Sequence, residues 1–170
     1  MTHIVFSHQK KLTEIQHKVT KVSSFAEVWE CPTTGNKSLQ ATVSFAPGDI
    51  ISIFRAKERL TEPNYLTVQL NEQEHIMLAP EFLQYINHSC NPNVFFDTTH
   101  RVLRCLSQIE VGEEMTFFYP STEWCMAQTF DCDCKTQKCL GRIQGALHLH
   151  PAILQAYQLS DYIKQKLERL

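Results

Sequence analysis

The stretch CDCKTQKC, residues 132–139, carries three thiols at C-x-C-x4-C spacing, and it restricts the fold more than any other feature of the chain. Thiolates are soft ligands, and Zn²⁺ takes four of them in a tetrahedron with arms of about 2.3 Å. Cys132, Cys134 and Cys139 can wrap an ion from one side, so a closed structural site must draw its fourth ligand from elsewhere. Cys90 is the leading candidate, because it stands in YINHSCNPNVFF (85–96), where polar groups and a thiol interrupt an apolar pattern. Cys125 is nearer in sequence and is the alternative. The bland reading, incidental surface thiols or a redox pair, leaves three reactive groups without partners within eight residues.

The other cysteines do not suggest a disulfide framework. The total is seven, and the opening MTHIVFSHQKKLTEIQHK has no signal-peptide pattern, so the protein is expected to be intracellular. No apolar run approaches a membrane span, and no membrane association is expected. A net charge of −2 without a basic stripe argues against direct nucleic-acid binding.

Seven short stretches read as strands: FAEVWE (25–30), ATVSF (41–45), IISIF (50–54), YLTVQL (65–70), HIML (75–78), VLRCL (102–106) and MTFFY (115–119). Turn signals separate them at PTTGN, PGD, EPN, NPN and VGEE. This density of short strands predicts a mainly β, α+β fold of several small sheets, not a parallel sheet with crossover helices. PEFLQYI (80–86) fits one helical turn with proline at its start. In the tail, Ile153, Leu154, Tyr157, Ile163, Leu167 and Leu170 approximate an apolar stripe, so one C-terminal α-helix is expected over 151–170. It would dock on the domain surface, with a dimer contact as its other use.

With YINHSCNPN, VGEEMTFFY and FDCDCKTQKCLGRIQG in this order, the sequence resembles the SET-domain family of S-adenosylmethionine-dependent protein lysine methyltransferases. The resemblance covers about residues 22–145, and its last motif is similar to the family's post-SET zinc segment. It implies a SET domain over 22–120, a post-SET zinc-binding segment over 121–146, flanking segments at 1–21 and 147–170, and a threaded, pseudoknot-like C-terminal stretch. It also implies roles for residues. Tyr119 matches the catalytic tyrosine, Asn87 and His88 match positions that hydrogen-bond the cofactor, and Cys90 matches the source of the fourth zinc ligand. Phe117, two residues before Tyr119, would line the substrate channel and set how many methyl groups fit. Without a hydroxyl there, di- or trimethylation is expected.

The sequence departs from the family at several points. Asn36, Lys37 and Ser38 stand where a G-x-G usually contacts the cofactor; asparagine tolerates the left-handed region and serine is small. Tyr85, beside Asn87, is assigned to the cofactor wall with them, although Gln84 and Tyr85 replace the usual Arg-Phe. Phe118 replaces a residue that is often acidic. Glu110, Glu113, Glu114, Glu123, Asp131 and Asp133 read as solvated turns in preference to a docking site for a basic peptide. His148 and His150 read as structural or exposed. The expected partner is a lysine-bearing protein or peptide, a histone tail being one candidate. The competing reading is a catalytically weak SET-fold module that binds peptides or serves as a scaffold.

Overall fold

The computed structural model describes residues 16–169, so the first fifteen residues and Leu170, including its place in the apolar stripe, lie outside it. Among the described residues no helix is long and apolar enough to cross a membrane. The first sheet is antiparallel and runs β1 (Lys18–Lys21), β2 (Ala26–Glu30), β3 (Lys37–Ala41). In β2 the expected alternation holds, with Ala26 and Val28 buried. β3 lies earlier than the expected 41–45. Beyond Ala41 the chain leaves β2: Ala41 N–H donates to the Glu113 carbonyl, and Gly112 N–H donates back to Ala41. Phe45 keeps only an isolated bridge to Ile109.

The chain then contributes β4 (Ile50–Ile53), β5 (Arg55–Leu60), β6 (Val68–Asn71) and β7 (Glu74–Ala79). β5, β7 and β6 form a three-stranded sheet in that order. The sequence RAKERL of β5 has no strand pattern. It is extended because all its residues except the bulged Lys57 pair with β7, a case of pairing overriding local preference. A 3₁₀ turn over Glu81–Tyr85 occupies the place where one helical turn is expected.

The site is built on the largest sheet, with strand order β4, β10 (Val102–Cys105), β9 (Val94–Asp97), β11 (Thr116–Phe117), β8 (Asn87–His88). β8 and β11 run parallel, with Thr116 opposite Asn87 and Phe117 opposite His88. That register brings together segments about thirty residues apart. β11 is shorter than MTFFY suggests, because Tyr119 and Pro120 begin a 3₁₀ turn. A two-stranded ribbon, β12 (Phe130–Asp131) with β13 (Arg142–Ile143), follows.

The main core packs Leu39, Phe54, Ile76, Leu83, Ile86, Phe96, Leu103 and Met115 between the sheets. A second, smaller core joins Phe118 and Trp124 to Leu154, Leu159 and Ile163 of the tail. The tail is not one helix. It forms α1 (Pro151–Leu154) and α2 (Asp161–Leu167), separated where Ser160 turns to cap α2, its Oγ accepting from Ile163 N–H. The sequence stripe is continuous, but the cap and the burial of Leu159 divide it. Gly145, at φ 111°, lets the tail approach closely, since a Cβ there would lie 2.6 Å from the Trp124 carbonyl oxygen.

Candidate functional site

A cleft of about 1120 Å³ is lined by Asn36, Lys37, Tyr85, Asn87, His88, Phe117 and Tyr119, seven of the residues expected there. Ser38 does not line it; its hydroxyl accepts from Gln40 Nε2. The left-handed conformation expected of Asn36 falls instead on Gly35, at φ 71°, which also borders the cleft. A glycine thus stands at this bend, one residue earlier than the alignment places it.

The wall on the large sheet is tied by side chains. Asn87 Nδ2 donates to the Lys37 carbonyl and to Glu114 Oε1, both at 2.9 Å. This clamps β8, the start of β3 and the 114–116 segment together. Glu114, read from sequence as a solvated turn residue, is part of the cleft wall. The Lys37 ammonium lies 5.0 Å from the Tyr85 ring centroid, a cation–π distance.

The His88 ring is engaged within the protein at both nitrogens. Tyr119 N–H donates to Nδ1 at 3.2 Å, which places the ring proton on Nε2, and Nε2 faces Cys90 Sγ at 3.3 Å. Burial among Phe118, Tyr119 and Phe130 pushes its pKa down to about 4, so the ring is neutral. His88 therefore links the cleft to the cysteines, and its ring nitrogens are not free for a ligand.

Tyr119 is partly buried, and its hydroxyl lies 3.5 Å from the Ile86 carbonyl. Burial, followed by the charges of Glu114 and Glu123, raises its phenol to about 12, which keeps the O–H protonated. Phe117 packs 4.6 Å from the Tyr119 ring and edge-on to Phe96 at 4.8 Å. The opposing segment, Met126–Phe130, has no signal in the sequence beyond its nearness to the cysteine run, yet it completes the lining. Phe130 approaches both His88 and Tyr119.

Cys90, Cys132, Cys134 and Cys139 converge, with their sulfurs all within 4.8 Å of one another, and could hold a metal ion. Cys90 and Cys132 are 3.9 Å apart, close to the roughly 3.8 Å edge of a tetrahedron with zinc–thiolate arms. Burial pushes the Cys90 thiol up to about 11 and raises Cys132 as well. Burial also opposes ionisation of Cys134, but hydrogen bonds involving Thr136, Cys90 and Cys132 together outweigh it and lower that thiol to about 6. A dication among the four sulfurs would favour the thiolate form of all of them. Cys125 is elsewhere, exposed and 4.0 Å from His148 Nε2. His150 caps α1 through Nδ1.

The chain matches the family model described as the SET domain over residues 7–120. It is also 32% identical over 160 residues to "Methyltransferase flvH" of Aspergillus flavus, with 86% of this chain and 89% of that protein covered. The chain belongs to the SET domain family. Its family and that relative together support methyltransferase activity.

Proposed function

We propose that the chain is an S-adenosylmethionine-dependent protein lysine N-methyltransferase, with a lysine side chain of a protein as acceptor and a structural Zn²⁺ on Cys90, Cys132, Cys134 and Cys139. One observation carries the reading: a single cleft joins the clamped Asn87 turn to the hydroxyl of Tyr119, with the Ile86 carbonyl beside it. When bound, the cofactor supplies a methyl group on a sulfonium centre.

The cleft's size suits a cofactor together with the end of a substrate side chain. Asn36, Lys37, Tyr85 and Asn87 form its cofactor wall. Tyr119 and the Ile86 carbonyl orient the amine and the methyl group through O–H and weak C–H···O contacts. Alignment of this kind lowers a barrier without a covalent enzyme intermediate. Desolvation by Phe117 and Phe130 at Tyr119 opposes the ammonium form of the acceptor, while the charges of Glu114 and Glu123 favour it. Phe117 places no hydroxyl beside that position, which favours di- or trimethylation. An exposed histone tail is one acceptor of suitable chemistry.

Calorimetry with S-adenosylmethionine, followed by labelled transfer to histones, a lysate and free amines, tests the reading, with mass spectrometry to locate and count the methyl groups. Cofactor binding with methylated lysine in a protein is the expected result. No binding at millimolar cofactor would favour the scaffold reading, and transfer only to free amines would remove the protein substrate.

A further inference from the structure

Glu123 borders the same cleft, although it belongs neither to the cofactor wall nor to the cysteine cluster. Only 7% exposed, it was expected in a solvated turn. Its Oε1 is fully engaged, accepting from Gln69 N–H of β6 at 2.8 Å and from the Thr122 hydroxyl at 3.0 Å. Its Oε2 has no protein donor among the described residues, and it is not among the buried atoms sealed from solvent without a partner. The free oxygen therefore reaches the cleft that the residue lines.

The groups around it supply no counter-charge. On its own segment lies Tyr119, whose phenol responds to the Glu123 charge. From β6 comes the Gln69 amide, whose Oε1 accepts from Trp124 N–H and whose Nε2 donates to the Asn71 carbonyl and the Tyr162 hydroxyl. From α2 comes Tyr162, which donates to Glu72. Lys166 is also committed, bonded to Glu72 and set over the Trp124 ring. Burial lifts the Glu123 carboxyl to about 7, against hydrogen bonds from Gln69 and Thr122 that lower it. A carboxyl with one anchored oxygen, one open oxygen and no resident cation is suited to a cation that arrives from outside.

We propose that Glu123 receives the ammonium group of the incoming substrate, so that the cleft admits cationic amines and binds them when Glu123 is ionised. The inference rests on the amine-methylation reading and deepens it. β6 holds the carboxyl in place, and Thr67 and Val68 beside that anchor line the cleft too.

The test measures n-butylammonium binding to the full chain in the presence of S-adenosylhomocysteine, by calorimetry at pH 6 and pH 8. The probe stays protonated at both. Wild type should bind it about tenfold more tightly at pH 8, following ionisation of a group near pH 7. Glu123→Gln keeps the Oε1 acceptor but not the charge. It should bind the probe at least tenfold more weakly at pH 8, show no pH dependence, and keep its S-adenosylhomocysteine affinity and melting temperature. Glu123→Asp should bind weakly while retaining the pH dependence. In turnover, KM for the amine should rise more than kcat falls in the Gln variant.

The same pH dependence in wild type and Glu123→Gln, no detectable probe binding by wild type, or loss of S-adenosylhomocysteine binding in the Gln variant would each overturn the proposal. Wild type that methylates amines beside an unaffected Glu123→Gln would overturn the role of Glu123 alone. Wild type that binds cofactor but methylates no amine would overturn the functional reading beneath it.

Discussion

The two walls of the cleft are held in different ways. The Asn87–Tyr119 wall stands on a ladder: β8 lies beside β11, β11 beside β9, and the Asn87 amide fastens the turn to β3. Its strand pairing involves none of the four thiols. The Met126–Cys134 wall has one two-residue ribbon, and its Cys132 and Cys134 converge with Cys90 and Cys139. It has little regular structure of its own, so its position depends on the cysteines and on links such as the Met126 N–H bond to the Gln144 carbonyl. The ladder-held wall is thus the more rigid of the two, and the thiol-held wall the more adjustable.

The largest effect should come from the rigid wall. Tyr119→Phe removes the hydroxyl beside the Ile86 carbonyl and should lower kcat by about 10³-fold, while cofactor affinity measured by calorimetry stays near wild type. Equal turnover in that variant would take Tyr119 out of the mechanism. A smaller effect, about 3 kcal/mol of stability, is expected from Phe118→Ala. Phe118 stacks on Tyr157 at 3.7 Å between centroids, and the Tyr157 hydroxyl donates to the Cys90 carbonyl at 2.8 Å. Denaturant unfolding should show the loss, with proteolysis beginning in the tail. An unchanged midpoint would mean that the second core does not support the cysteine segment.

The smallest of the three is aimed at the adjustable wall. Chelation, or Cys134→Ser, should weaken cofactor binding by roughly ten- to a hundredfold and expose residues 126–134 to protease. The unfolding of the large sheet should change far less. Cofactor affinity that ignores chelation would make the cluster remote from the cleft, and the contrast between the walls would then lose its meaning.

Some of this was legible in the residue order. FAEVWE, IISIF, HIML and VLRCL alternate or carry β-branched side chains, and each contributes a strand. RAKERL and KSLQA were silent, because charged and polar residues become strands there only by lying along β7 and β2. VFFD, an apolar run just after the polar motif, forms β9. Phe118, which replaces an often acidic residue, is a packing solution, since Tyr157 stacks on it. Glu114 and Glu123 were grouped with exposed acids, because composition does not distinguish a solvated carboxylate from one held by Asn87 or by Gln69 N–H.

Local chemistry pointed to a metal-type ligand set, the short-strand architecture and the match to the SET family, because spacing, turn residues and motif order are properties of neighbours along the chain. Which thiol joins the other three, where the His88 nitrogens point and which carboxyl is left with an open oxygen were decided by folding. Those facts depend on separations of 2.8 to 3.9 Å between residues tens of positions apart, and such distances exist only once the sheets have set their register.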